Sequence, residues 1–158
     1  LGGGSEINLA VRRDETGIEI EELTLNAARL TAEAQGIVSS LSSDIVAQVS
    51  MPSLADADPE FGGSFQAEAR LTGPSGLRRL TLNGEAADLR IGIEQLDRAL
   101  TGMTTLTAIL EEGPDGYELE TFRLSNPQLT AQGQGAFAEG ALNAVASVAV
   151  PDLAVLRP

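Results

Sequence analysis

The chain has 158 residues, a formal net charge of −13, 42% apolar residues but only 3% aromatic residues, and neither Cys nor His. A surface this acidic repels phosphate backbones, which argues against nucleic acid as a partner. Without Cys and His the chain has no thiolate, no disulfide and no imidazole base or ligand, so its composition argues against an enzyme.

Alternation of apolar and polar residues predicts β-strands along most of the chain. The alternation runs over residues 7–11 and resumes over 18–20, with a turn at 12–17 between them, which predicts a hairpin. Farther along, residues 65–71 predict another strand that ends at the Gly-Pro-Ser-Gly turn of residues 73–76.

The alternation slips by one residue in the same way at three places, which are residues 20–25, 77–82 and 119–124. A strand that keeps its apolar side chains on one face across such a slip needs one extra residue, which is a β-bulge. Two short strands joined by a tight turn explain the same pattern, and the sequence leaves both alternatives open. Repeated bulges would bend the whole sheet.

The strands that follow the first and third slips are nearly free of side chains on one face. Ala32, Ala34 and Gly36 share this face in the first strand, and Gly133 and Gly135 share it in the second. Glycine inside a strand indicates close approach of another group. That group is an opposing wall, a bound chain or a corner of the sheet, and the pattern does not distinguish them.

One segment alone has helical spacing. Ile93, Leu96 and Leu100 are three and four residues apart, and Gly102 follows as a helix-ending residue. We therefore predict an all-β fold, a strongly curved sheet, with one short helix near residues 93–102.

The chain repeats itself. Residues 1–59 align without a gap to residues 100–158, at an offset of 99, with eighteen identities. We expect residues 1–158 to be a single excised segment of a repeat array, in which residues 60–99 are the linking portion. Since the chain begins in the middle of a repeat, any anchor or targeting element is expected to lie outside it. Repeats more often build an extended surface than one asymmetric catalytic site.

The candidate chemical sites are weak. Carboxylates alternate over residues 56–60 as in a calcium loop, but Pro59 and Phe61 interrupt the pattern, which favours a solvated loop. The acidic runs at residues 19–22 and 111–112 have no His, Lys or Cys partner. We predict no catalytic residue, no metal site and no cofactor.

A long apolar face remains. In a monomeric globule this face would be core, whereas in a repeat array whose two halves do not close into a sandwich it would line a trough. The predicted groove-lining residues are Leu9, Val11, Ile20, Leu25, Leu30, Leu71, Leu82, Leu110, Leu119, Leu124, Leu129 and Phe137.

Several motifs along the chain resemble those of one protein family. They are Phe-Gly-Gly-Ser at 61–64, Leu-Thr-Leu-Asn-Gly at 80–84, Leu-Arg-Ile-Gly at 89–92, Leu-Thr-Gly at 100–102, the segment 124–131 and Pro-Asp-Leu at 151–153. The chain is similar here to the TamB proteins, the translocation and assembly module proteins of the AsmA-like superfamily in Gram-negative bacteria.

This resemblance implies a periplasmic segment of an inner-membrane-anchored protein. Its repeated units would form a "β-taco", a curved and groove-like sheet. The apolar groove would conduct phospholipid between the inner and outer membranes and support outer-membrane protein assembly and secretion. The implied partners are phospholipid acyl chains, β-rich outer-membrane client proteins and the outer-membrane barrel protein TamA, which other parts of the full-length chain would contact. The resemblance carries over no catalytic residue.

Two other functions fit the same sequence. A chaperone-like module would bind β-rich client proteins by strand addition at exposed edges, for example near Thr107 or Thr130. A structural solenoid or adhesin stalk would instead have a dry, fully packed interior. Whichever applies, the acidic exterior is expected to be repelled by anionic headgroups.

Overall fold

The computed structural model describes residues 5–13, 15, 17–27, 30–138 and 140–151. About 72% of the structure is strand, so the predicted all-β fold is confirmed. The ten strands are β1 (Ser5–Arg13), β2 (Gly17–Ala27), β3 (Leu30–Ser39), β4 (Ser43–Met51), β5 (Gly62–Thr72), β6 (Arg79–Arg90), β7 (Met103–Gly113), β8 (Gly116–Asn126), β9 (Leu129–Ala138) and β10 (Ala141–Ala149). A 3-10 turn (Leu54–Asp56) precedes β5, and the helix α1 (Glu94–Ala99) joins β6 to β7. Among the described residues, no helix has the length and apolarity needed to cross a membrane.

All ten strands form one antiparallel sheet whose spatial order is the order of the chain. Strands β2 to β9 each pair with the strand before and the strand after them in the chain, and β1 and β10 are the two edge strands. The sheet is open and groove-like. Thr107 and Thr130 lie in β7 and β9, which have neighbours on both sides. The expectation that these two residues mark exposed edges was wrong, because the edges are β1 and β10.

The first of the three slips in alternation is a β-bulge. Ile20 pairs with Gly36, and Leu23 pairs with Ala34, so Glu21 and Glu22 together face one position of β3. The extra residue keeps Ile20 and Leu23 on the same face.

A second bulge, in β8, repeats this arrangement. Leu119 pairs with Gly135 and Phe122 pairs with Gly133. At the remaining slip, residues 77–82, neither alternative applies. Leu77 lies in the connection between β5 and β6, where its N–H donates to the Pro74 carbonyl at 3.1 Å, and the regular alternation of β6 begins after it.

The glycines opposite the bulges make room for the backbone of the next strand. Gly36 has a φ of 137°, and a Cβ there would collide with the carbonyl oxygen of Asp44 in β4. A Cβ on Gly135 would lie 2.8 Å from the carbonyl oxygen of Asn143 in β10. The group that approaches both glycines closely is the backbone of the next strand in the same sheet.

The buried core is small and lies beside α1. Among the described apolar residues, only Ala86, Ala99 and Leu100 are buried. Ile93 and Leu96, which the helical spacing placed beside Leu100, are exposed. A helix of six residues is too short to present a full apolar stripe, so its last turn alone packs against the sheet.

Hydrogen bonds hold the α1 loop to the ends of the strands. The buried Asn126 side-chain amide donates to the Thr101 carbonyl (3.2 Å), the Met103 carbonyl (3.4 Å) and Thr104 Oγ1 (2.9 Å). Asp88 has a φ of 50° and is bonded twice to Gly102, through its N–H (3.0 Å) and its Oδ1 (2.9 Å). This edge of the sheet is therefore closed by a satisfied polar network.

The chain exposes more surface than a compact protein of its mass. Its solvent-accessible area is 10336 Å². A compact monomer of 16.4 kDa would expose roughly 7,500 Å². A single-layer sheet explains the excess, because it has no second layer to cover either face.

Candidate apolar binding face

Strand register places a continuous set of apolar residues, contributed by all ten strands, on one side of the sheet. Cross-strand partners share a face, so a row of successive partners can be followed across the sheet. The middle row is Leu9, Leu23, Ala34, Ala47, Ala69, Leu82, Ala108, Phe122, Gly133 and Ala146. A parallel row runs from Ile7 to Val148 on one side of it, and another from Val11 to Ala144 on the other. Every position in the three rows is apolar or glycine, and together they form what we call the apolar face.

All twelve predicted groove residues belong to this side of the sheet. Those within the three rows are Leu9, Val11, Ile20, Leu25, Leu71, Leu82, Leu110, Leu119 and Leu124. Leu30 and Leu129 lie just beyond the row of Leu25, and Phe137 lies just beyond the row of Leu119. The residues are therefore brought together as one continuous surface.

Other residues of the apolar face were missed by the sequence prediction. The whole of β4 is an example, since Ile45, Ala47 and Val49 pair with apolar residues of β3 and β5. Leu80 and Phe122 are two larger side chains of the same kind. The alternation over residues 45–51 could have identified these positions, because it places an alanine on the apolar side just as it places a leucine there.

One rim of the apolar face, which we call the helix rim, combines apolar side chains with the buried and hydrogen-bonded Thr104 and Asn126. Phe65 of β5 pairs with Ala86 of β6 at this rim. Ala86 is buried, as are Ala99 and Leu100 at the end of α1. The neighbouring Asn126 amide is saturated by the bonds described above, so it offers no free polar group here.

The opposite rim, which we call the turn rim, carries a charged pair. Arg78 continues β6 by one residue, since the Glu112 N–H donates to its carbonyl at 2.7 Å. The Arg78 Nε donates to Ser43 Oγ at 3.3 Å, and its Nη1 lies 3.8 Å from Glu112 Oε2. Ser43 is 2% exposed, and the side chains of Arg78 and Glu112 are 28% and 22% exposed. The pair is partly shielded and lies on the same side as the apolar rows.

The other face of the sheet is polar and largely paired with itself. Gln48 donates to Glu68 at 3.1 Å, and Gln66 donates to Glu85 at 2.9 Å. These four side chains line a shallow open hollow of about 570 Å³. Because its amides and carboxylates already bond to one another across strands, the hollow has few groups left to bind a ligand.

The apolar face, in contrast, is uncovered. Its outer residues are the most exposed, with Ile7 at 67%, Leu9 at 62% and Val148 at 66%. Contiguous exposed apolar patches larger than a few hundred Å² mark interaction sites on soluble proteins. A face that spans ten strands exceeds that size.

The apolar face can bind a ligand by burying apolar surface against it. Within the ranges that the structure describes, no group of three or more Asp and Glu side chains is placed to hold a metal ion. Comparison of this chain with family models, with curated proteins and with solved structures gives no match.

Proposed function

We propose that this chain is a periplasmic groove segment of a TamB-like protein, and that it conducts phospholipid between the inner and outer membranes. Acyl chains would lie on the apolar face while headgroups remain in water. The observation that supports this is the continuity of the three apolar rows across every strand of the sheet.

The energetics of such a surface favour sliding over tight binding. Covering apolar surface stabilises by about 25 cal/mol per Å². Since successive positions along each row are all aliphatic, aromatic or glycine, an acyl chain can contact apolar surface at each of them. No charged side chain interrupts the rows, so movement across the strands meets no desolvation barrier.

Lipid capture at defined positions is the first expected result. A photo-crosslinking residue at Leu82 or Leu110 should capture phospholipid, because both side chains lie on the apolar face. The same residue at the adjacent Asn83 or Glu111 should not, because these side chains lie on the polar face. Mass spectrometry of the adducts reads out the result. Equal capture at neighbouring positions, or capture at neither, would refute lipid binding by this face.

A chaperone-like function has one observation in its favour. The outer strand β10 has the sequence Ala-Leu-Asn-Ala-Val-Ala-Ser-Val-Ala, which contains no charged residue and no proline. Charges and proline are the usual means by which outer strands avoid pairing with other chains. A β-rich client protein would add to this strand by main-chain hydrogen bonds.

Proline substitutions in β10 separate the two functions. N–H groups of adjacent residues point alternately toward β9 and away from it, so Val145→Pro and Ala146→Pro together sample both directions. If lipid conduction is the function, the variant that keeps the β9 ladder should capture lipid as the parent chain does. If strand addition is the function, that variant should lose binding of an extended β-rich client peptide, measured by fluorescence anisotropy. Loss of lipid capture with intact circular dichroism would contradict the lipid proposal.

A further inference from the structure

The two rims of the apolar face differ along the strands: the turn rim carries the Arg78–Glu112 pair, whereas the polar side chains near the helix rim, Asp88, Thr104 and Asn126, are already hydrogen-bonded within the fold. In β6 the residues on this side, taken from the turn rim to the helix rim, are Arg78, Leu80, Leu82, Gly84 and Ala86. The side therefore begins with a cation and ends at the buried core beside α1. An amphiphile that lies along β6 with its polar end at Arg78 therefore has its apolar end beside Ala86.

The length of the apolar part fits one acyl chain. Leu80 and Ala86 are six residues apart in a strand, which corresponds to about 20 Å. The hydrocarbon of one leaflet is about 15 Å thick, half the hydrocarbon thickness of a bilayer. A tail that starts beside Leu80 therefore reaches the helix rim without leaving the apolar face.

The charges at the turn rim complement a zwitterionic headgroup. Arg78 offers a guanidinium for a phosphate, and Glu112 offers a carboxylate for an ammonium group. Their Nη1 and Oε2 atoms are 3.8 Å apart, a loose pairing in which neither charge is held by a short hydrogen bond to the other. The net charge of −13 disfavours a headgroup with an excess of negative charge.

We infer that phospholipid lies along the strands in one orientation, with a zwitterionic headgroup at Arg78 and Glu112 and the ends of its acyl chains at the helix rim. This inference rests on the proposed function, since it specifies the ligand and its direction on the same face. Arg78 and Glu112 are then the residues that determine headgroup specificity.

Tryptophan reporters test the orientation. The chain contains no Trp, so Phe65→Trp at the helix rim and Tyr117→Trp, opposite Glu112, each give a single signal. The probes are phosphatidylcholine brominated near the ends of its acyl chains and phosphatidylcholine with a nitroxide on its headgroup. The brominated tail should quench the reporter at position 65 more strongly, and the headgroup nitroxide should quench the reporter at position 117 more strongly. Equal or reversed quenching would overturn the orientation while leaving lipid binding intact. Absence of quenching by either probe would overturn the proposed function as well.

Headgroup specificity has a matched pair of variants. Arg78→Gln should weaken phosphatidylcholine binding about tenfold, the value of one lost hydrogen bond to a charged group. Arg78→Lys, which keeps the cation, should restore part of this loss. Arg79→Gln is the control, because the Arg79 side chain lies on the polar face with Glu111 and Glu120.

Binding is measured by equilibrium transfer of lipid from vesicles of phosphatidylcholine or of phosphatidylglycerol, with thermal unfolding of each variant recorded alongside. The parent chain should prefer phosphatidylcholine, and Glu112→Gln should reduce that preference. Equal effects of Arg78→Gln and Arg79→Gln, or a preference for phosphatidylglycerol, would overturn the assignment of Arg78 and Glu112.

Discussion

Leu82→Asp should abolish phospholipid capture, whereas Asn83→Asp should leave it unchanged. Leu82 lies in the middle row of the apolar face, between Ala69 and Ala108. A carboxylate there must lose its water when a tail covers it, which costs several kcal/mol and so reduces occupancy by more than about a hundredfold. Asn83 is exposed on the polar face, where an added charge stays hydrated.

The comparison separates the effect of the position of the added charge from the effect of adding a charge at all. Both variants change the net charge by one unit at adjacent residues of the same strand. Captured phospholipid is quantified by native mass spectrometry, and circular dichroism verifies that each sheet has formed. Leu25→Asp and Leu124→Asp should behave like Leu82→Asp, since both residues lie in one neighbouring row. If Leu82→Asp captures lipid as well as the parent chain does, the apolar face is not the binding surface.

Gly36→Ala should destabilise the sheet, and Gly84→Ala should not. Gly36 has a φ of 137°, and its added Cβ would collide with the Asp44 carbonyl oxygen. Backbone strain and this overlap together predict a loss of about 2–4 kcal/mol in the free energy of unfolding. At Gly84 the nearest atom to an added Cβ is Phe65 Cε2 at 3.5 Å, an ordinary contact. Alanine there should be neutral or stabilising by up to about 1 kcal/mol, because it restricts the unfolded chain.

Urea unfolding followed by circular dichroism provides the two free energies. The pair is informative because both glycines lie on the apolar face and both substitutions add one methyl group. The change in the free energy of unfolding is expected to have opposite signs in the two variants. At the least, the two changes should differ by more than the error of the extrapolation. Equal free energies for the two variants would show that the pairing of β3 with β4 does not need the conformation of Gly36.

The sequence by itself determined the strands and the face on which their apolar residues lie. Side chains alternate with a period of two, so Leu80 and Leu82 had to share one side of β6. Asn83 and Arg79, at the intervening positions, had to lie on the other. In β2 and β8 the extra residue of the bulge is also needed, because it returns Leu25 to the side of Ile20 and Leu124 to the side of Leu119.

Tertiary structure decided the features that depend on which backbones meet. The slip at Glu21 and Glu22 is a bulge because β3 continues past it, whereas Leu77 lies in the connection between β5 and β6 and needs no bulge. Pairing order placed the edges at β1 and β10. It also joined Ser43, Arg78 and Glu112 at one rim, although they come from three separate parts of the chain. Periodicity reports the direction of each side chain relative to its own strand. Contacts between residues far apart in the chain depend on register and strand order, which no local pattern encodes.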